Sequence, residues 1–288
     1  MKNLFLIVFL LFASIIYGQY NSLLWKITGN GLSEPSYLYG TMHTTDARVF
    51  SFSDNVMIAF NSAKTYAMEL DPHEAFNMSI ISKLMMGKGY SLKAMVPERE
   101  YNLLDSIVKG QVGFPVKIFD NVAPVFTMTI LEAGAMSLSD SSIKGNTDVL
   151  DMYFYKQAKK KKKKIVGIET VDEQLTALNT LSYIEQANML VNELHMFEQS
   201  KNDGKDILRF YLDQNLDSLA ENDADTQMPE KFYKALVTDR NIRMADRIST
   251  FAKQSSVFAA VGALHLPKEQ GIIELLRAKG FTVEPVGK

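Results

Sequence analysis

Six short apolar segments, separated by longer stretches with helical periodicity, constrain the fold of this chain more than any other feature. Several are apolar without interruption, which is typical of strands covered on both faces. A loop rich in glycine joins the first two and predicts an antiparallel hairpin, whereas helical stretches separate the later ones and predict parallel crossovers. The predicted strands are 23–27, 36–42, 65–70, 164–169, 257–262 and 281–286.

The stretches between these segments carry the start and stop signals of helices. Thr147 and Asp148 supply capping chemistry for one helix, and Gly280 follows the last helix as a stop signal. We therefore expect an α/β fold, with a central mixed, largely parallel sheet flanked by helices, and with helical insertions. The predicted helices are 54–63, 97–109, 124–136, 147–163, 183–199, 206–214, 229–251 and 267–279.

The N-terminal segment has the pattern of a targeting signal. Lys2 precedes an apolar run over residues 4–17, and small residues lead to Gly18. This pattern predicts a secretory signal peptide over 1–18 and an exported protein, periplasmic or secreted; an uncleaved N-terminal anchor is the alternative. No second long apolar run occurs, so we expect no stable membrane span after signal removal. The predicted strands come from distant parts of the chain, so we expect a single domain over 19–288.

Composition excludes several kinds of function. The formal charge is −2, from 31 Lys and Arg against 33 Asp and Glu, so no global charge indicates nucleic acid as a partner. The chain has no cysteine, which excludes disulfides, cysteine-ligated zinc, iron–sulfur clusters and a cysteine nucleophile. Any imidazole chemistry must come from four histidines, His43, His73, His195 and His265.

Four ionisable residues stand at the ends of predicted strands: His43, Glu69, Glu169 and His265. The carboxyl ends of neighbouring parallel strands meet at one edge of an open sheet, where ligands bind. Two imidazoles and two carboxylates at one edge would form either a metal site or an acid–base site.

The two strand-end histidines share a Gly-x-x-His pattern, over residues 40–43 and 262–265. Glycine lets the backbone turn sharply or approach a ligand closely, and the imidazole then lies beyond the turn. Two such motifs after strands indicate a functional pair. His195, inside a helix rich in Met and Leu, is interpreted as structural, and His73, at a predicted helix start, as an outside candidate for substrate contact.

Two charged features are interpreted as ordinary parts of the surface. The six lysines of 159–164 end a predicted helix, where cations interact well with the negative end of the helix dipole. An anionic-lipid or nucleic-acid patch is the alternative for this tract. From spacing alone, Arg240 is expected to be a surface arginine paired with Asp239 or Asp246.

The sequence resembles the TraB/GumN family, which includes the Tiki metalloproteases. The resemblance runs from about Leu24 to Val286. It is carried by the segments WKITGNGLSEPSYLYGTMH, TYAMELD, GIETVDEQL, TDRNIRMADRI and VFAAVGALHLPKEQGIIELLRAKGFTVEPV. The resemblance implies an α/β fold related to the erythromycin-esterase-like and ChaN-like proteins.

For Tiki-like members the resemblance implies a metalloprotease dependent on manganese or cobalt. Its metal ligands would be the two Gly-x-x-His histidines, His43 and His265, together with Glu69. Three further residues match family positions and are the candidate catalytic groups: Glu169, Arg240 and Asn241.

The leading hypothesis is an exported metal-dependent hydrolase, a peptidase acting on a peptide or protein substrate. The metal would polarise the scissile carbonyl and acidify a bound water, with Glu169 as general base and Arg240 at the developing oxyanion. One alternative is a protein that binds metal, haem or another small ligand on the same fold without turnover. Another is metal-free hydrolysis, with His43 or His265 as the base.

We predict that the signal segment is removed from the exported protein, because the basic, apolar and small-residue regions follow in the order that signal peptidase requires. N-terminal sequencing of protein recovered from its native cell envelope should begin near Gln19. An intact Met1 terminus in the membrane fraction would instead establish the anchor.

Overall fold

The fold is taken from a computed structural model that describes residues 20–44, 46–72, 82–137, 149–199, 204–224 and 228–287. The predicted signal peptide, His73, and the predicted helix cap at Thr147 and Asp148 lie outside these residues. No helix within the described part of the chain is both long and apolar enough to cross a bilayer.

A six-stranded sheet forms the centre of the molecule, in the order β4-β3-β5-β2-β1-β6. Each predicted apolar segment contributes one strand, so all six strand predictions are confirmed. The strands are β1 (Leu24–Gly29), β2 (Ser36–Thr41), β3 (Thr65–Met68), β4 (Lys164–Gly167), β5 (Val257–Gly262) and β6 (Phe281–Pro285).

Strand directions place the carboxyl ends of four strands at one edge. β2 pairs in parallel with β5, β5 with β3, and β3 with β4. Only β1 runs against its neighbours, since it pairs antiparallel with both β2 and β6. This confirms the predicted hairpin, the parallel crossovers and the mixed, largely parallel sheet. The carboxyl ends of β2 to β5 therefore form one edge, called the carboxyl edge below.

Helices flank the sheet and also form an insertion away from it. Those of the first half are α1 (Asp54–Ser62), α2 (Leu92–Met95), α3 (Glu98–Val112), α4 (Pro124–Ser137) and α5 (Leu150–Lys160). Those of the second half are α6 (Val171–Leu178), α7 (Tyr183–Gln199), α8 (Gly204–Leu212), α9 (Leu216–Ala224), α10 (Glu230–Tyr233), α11 (Asp239–Gln254) and α12 (Ile272–Ala278).

One predicted helix differs from the structure in a way that bears on function. The stretch 229–251, predicted as a single helix, contains a π-helical turn at Lys234–Thr238 between α10 and α11. Such turns are common at functional sites because they shift the register of the side chains that follow. Here the turn ends two residues before Arg240, which is buried.

A main apolar core, a second core and a smaller cluster around Phe232 support this architecture in the described part of the chain. In the main core, Phe60 of α1 and Phe154 of α5 pack against aromatic side chains of the sheet. The ring centroids of Phe60 and Phe154 lie 5.3 Å apart. The second core lies in the helical insertion, where α2, α3, α4 and α7 bury residues such as Leu104, Leu131 and Leu190. α4, predicted to be deeply buried or packed in a helical subdomain, belongs to this second core.

The lysine tract lies at the end of α5, as predicted. Four of its members are exposed, namely Lys159, Lys160, Lys161 and Lys162, and so is Lys164, which begins the edge strand β4. Lys163 differs, because its ammonium group donates to the carbonyl oxygens of Asn61, at 3.2 Å, and of Ala63 at the end of α1. A cation at this position satisfies carbonyl groups that a helix terminus leaves without intrahelical partners.

We predict that Lys163 contributes more to the free energy of unfolding than the exposed lysines of the tract do. Changing Lys160, Lys161 and Lys164 together to Gln should alter the free energy of unfolding by less than about 0.5 kcal/mol, because exposed charges contribute little. Lys163→Gln alone should cost about 0.5–1 kcal/mol, since it removes a cation from a helix C-terminus. Urea unfolding measures both. A larger loss in the triple variant than in Lys163→Gln would contradict this assignment.

Candidate functional site

The four predicted strand-end residues all lie at the carboxyl edge. Glu69 directly follows β3, and Glu169 follows β4 by two residues. Their backbones are neighbours, since the amide of Glu169 donates to the carbonyl of Glu69 at 2.8 Å. His43 follows β2, and His265 ends a short 3₁₀ turn (Ala263–His265) directly after β5.

Arg240 links the two glutamates in the interior of this edge. Its Nε and Nη2 donate to one oxygen of Glu169, at 2.8 and 2.7 Å. Nη2 also donates to Glu69 at 2.8 Å, and the Gln174 amide lies 3.3 Å from Glu169 and 3.5 Å from Glu69. Only 9% of the Arg240 side chain and none of the Glu169 side chain is exposed. A buried charge cluster of this kind persists because every charge has an opposite partner.

The spacing-based expectation for Arg240 is therefore wrong. Its two nearest acidic residues in sequence pair with lysines instead, Asp239 with Lys234 and Asp246 with Lys279. The π-helical turn before α11 and the inward face of that helix bring Arg240 to partners that are 71 and 171 residues away. Spacing within one helix cannot reveal such partners.

Glu69 connects this cluster to the second Gly-x-x-His motif. Its other oxygen accepts a hydrogen bond from the backbone amide of Gly262 at 2.7 Å. Burial alone would raise the pKa of Glu69, but the positive charges of His265, when protonated, and of Arg240 outweigh burial and lower it to about 2. Glu69 is therefore an anion at neutral pH, with Arg240 as its permanent counter-ion.

His265 is held as a neutral ring with one nitrogen available. The Asn241 amide group donates to the carbonyl of Gln270 at 2.8 Å, so the Asn241 carbonyl oxygen faces His265 Nδ1, at 2.7 Å. Nδ1 must then carry the ring proton, which leaves the lone pair on Nε2. Burial lowers the pKa of His265 to about 4, although Glu69 opposes this change. Neutral imidazole with a free Nε2 suits both proton transfer and metal ligation.

His43 is in the opposite state. Its Nε2 lies 3.3 Å from a carboxylate oxygen of Asp151, on the first turn of α5. That neighbour raises the pKa of His43 to about 9, so the ring is a cation at neutral pH. The side chain is 60% exposed, whereas that of Asp151 is 10% exposed. The sequence analysis did not identify Asp151 as part of the site.

The two Gly-x-x-His motifs are packed directly against each other. A methyl group added to Gly40 would lie 3.1 Å from the Cα atom of Ala263, so the first glycine permits close approach of the second motif. A methyl group on Gly262 would lie 3.3 Å from a Glu69 oxygen and 3.5 Å from the His265 ring. Gly40 therefore allows the close approach of the second motif, and Gly262 leaves little room for a side chain beside Glu69 and His265.

His195 lies elsewhere, in the helical insertion. It is on α7, and its Nε2 lies 3.2 Å from Glu100 of α3. This position is consistent with the structural role expected for it. Arg243, one turn after Arg240, was also not predicted; it lies 3.5 Å from the second oxygen of Glu169.

The predicted three-ligand metal site is not assembled in this arrangement. Across the described ranges, no three His, Asp or Glu side chains are placed to hold one metal ion. Glu69 is bound to Arg240 and Gly262, and His43 Nε2 faces Asp151, whereas His265 is hydrogen-bonded through Nδ1 and no described residue is bonded to its Nε2. The set His43, Glu69 and His265 thus stays a prediction.

Comparison with known sequences identifies relatives over nearly the whole chain. The sequence model of the TraB/PrgY/gumN family matches residues 23–285. A protein named Metalloprotease TIKI2 from Xenopus tropicalis is 25% identical over 325 residues, covering 93% of this chain and 61% of that protein. Metalloprotease TIKI1 from Homo sapiens is 24% identical over 327 residues, covering 94% and 63%.

The chain spans less than two thirds of the length of Metalloprotease TIKI2 and TIKI1 named here. No solved structure matches the chain.

We predict that Gly40→Ala destabilises the protein by about 1–3 kcal/mol, because the added methyl group must displace Ala263 and its backbone. Gly110→Ala is the matched control, since it lies within α3 and its added methyl group meets nothing within 4 Å. The control should gain about 0.5–1 kcal/mol from helix propensity. Equal stability of Gly40→Ala and wild type in urea unfolding would contradict the direct packing of the two motifs.

Proposed function

The chain belongs to the TraB/PrgY/gumN family, and on this premise we propose that it is an exported hydrolase of peptide or protein substrates. The observation that carries the proposal is that the two motif histidines lie at one edge of the sheet in different protonation states. His265 is neutral with Nε2 available, and His43 is cationic and exposed. The relatives named metalloproteases support peptides as the substrate class.

The two histidines can take different roles in hydrolysis, His265 as the base and His43 as a cation or acid. His265 Nε2 can accept a proton from an attacking water, while its Nδ1–H stays bonded to Asn241. His43, as a cation on the exposed side, can stabilise the oxyanion or give a proton to the leaving amine. Asn241 acts on His265 as an orienting group, through the amide that Gln270 fixes.

Arg240 and Glu169 support the site from its interior. Nε and Nη2 of Arg240 bind carboxylates, and Nη1 lies 3.3 Å from the Leu236 carbonyl, so most of its donors are engaged within the fold. The Glu169 carboxylate is fully buried. These contacts favour Arg240 and Glu169 as the pair that holds Glu69, over the roles of oxyanion group and general base expected for them.

A divalent ion remains part of the proposal because the relatives are named metalloproteases, and manganese or cobalt is the metal that the family resemblance implies. His265 fits a metal ligand, since its Nε2 is free and its Nδ1–H is bonded to a polar partner. Glu69 does not fit as it stands, because Arg240 and Gly262 bind its two oxygens, and His43 does not, because Asp151 keeps its ring protonated. A bound ion would polarise the scissile carbonyl and acidify water. Metal-free acid–base hydrolysis is the second candidate, favoured by the His43–Asp151 pair.

We predict that the purified mature chain cleaves members of a random peptide mixture, detected by mass spectrometry. His265→Ala should lower kcat/KM by about 100-fold or more, because it removes the available imidazole nitrogen. His195→Ala, which removes the histidine of the helical insertion, is the matched control and should keep wild-type activity.

Cleavage measured with added manganese and with chelator distinguishes metal-dependent hydrolysis from metal-free acid–base hydrolysis. Loss of cleavage under chelator and recovery with manganese, together with lost manganese binding in His43→Ala, Glu69→Ala and His265→Ala, would establish the shared metal. Cleavage unaffected by chelator would establish acid–base hydrolysis. Absence of cleavage with and without manganese would refute the peptidase.

A further inference from the structure

Asp151 is a buried carboxylate aimed at the exposed histidine of the site. It comes from the first turn of α5, and only 10% of its side chain is exposed. One oxygen accepts from the Thr41 hydroxyl at 2.9 Å, and the other faces His43 Nε2 at 3.3 Å. Within the described residues, this second oxygen is buried and has no partner in hydrogen-bond geometry, and His43 Nε2 is its ion-pair contact.

Two features fix the carboxylate independently of His43. Thr41 is the last residue of β2, and its buried hydroxyl sets the rotation of the carboxylate. The backbone carbonyl of Asp151 also accepts from the Tyr66 hydroxyl of β3 at 3.2 Å. The first turn of a helix favours an anion, because the helix dipole is positive there. A buried, pre-oriented carboxylate costs free energy unless it interacts with a partner.

The first Gly-x-x-His motif therefore provides both residues that contact the Asp151 carboxylate. Thr41 and His43 belong to the first Gly-x-x-His motif, and both contact Asp151. Nε2 makes the ion-pair contact with Asp151 at 3.3 Å, so Nδ1 is the ring nitrogen left for chemistry. His265 is arranged in the reverse sense, with Nδ1 bonded to Asn241 and Nε2 available.

We propose that Asp151 is a positioning residue that holds His43 by Nε2 and presents Nδ1 to the substrate. This inference rests on the proposed hydrolase function and assigns the middle residue of a Thr41–Asp151–His43 arrangement. In other hydrolases, a carboxylate likewise orients a catalytic imidazole and stabilises its protonated form.

Asp151→Asn is the decisive variant. The Asn carbonyl can still accept from Thr41, and its amide then presents N–H groups to His43 Nε2. Nε2 must become an acceptor, so the ring loses its Nε2 proton to solvent, keeps the proton on Nδ1 and becomes neutral. The matched control is Glu100→Gln, because Glu100 faces His195 Nε2 at 3.2 Å in the helical insertion.

Two readouts are measured on the full mature chain. With the best-cleaved peptide of the random mixture, Asp151→Asn should lower kcat by about 100-fold and change KM little, whereas Glu100→Gln should leave both near wild type. In long-range proton–nitrogen spectra of the histidine rings, Nε2 of His43 should be protonated in wild type and unprotonated in Asp151→Asn.

Either readout can overturn the proposal. Raised KM with unchanged kcat would make Asp151 a binding group, and equal effects of Asp151→Asn and Glu100→Gln would make it structural. If wild type cleaves no peptide, the proposed function fails, and the spectra alone decide whether Asp151 holds Nε2. If Asp151→Asn does not fold, Thr41→Val replaces it, with a smaller loss of kcat expected and an unchanged kcat contradicting the proposal.

Discussion

A buried guanidinium between two carboxylates holds the carboxyl edge together. Arg240 comes from α11, whereas Glu69 and Glu169 follow β3 and β4. Leaving any one of these charges without a partner in the interior would cost roughly 3–5 kcal/mol. The helix and the two strands must therefore be assembled together, and the amide of Gly262 extends the cluster to β5.

This cluster gives the two motif histidines different surroundings. His265 lies beside the buried cluster, so burial keeps it neutral, and Asn241 decides which ring nitrogen is available. His43 lies further toward solvent, where Asp151 keeps it charged. Two copies of one short motif thus provide one basic and one acidic imidazole, which are the two groups that the proposed hydrolysis would need.

Sequence patterns were sufficient for the sheet and for the location of the site. Uninterrupted apolar segments marked all six strands, and parallel crossovers implied that His43, Glu69, Glu169 and His265 share an edge. Groups borne by helices were harder to predict, because their partners depend on tertiary packing. Asp151 stands at a helix start where an acidic residue is ordinary capping chemistry, so nothing in its local sequence distinguishes it. The true partners of Arg240 also lie far away in sequence.

The central claim is that one edge holds one histidine charged and the other neutral at physiological pH. Nuclear magnetic resonance titration of the ring nitrogens in the unliganded protein tests it most directly, because the chain has only four histidines. The account predicts a midpoint near 9 for His43 and near 4 for His265. Midpoints for both rings near the ordinary histidine value of about 6.5 would contradict it.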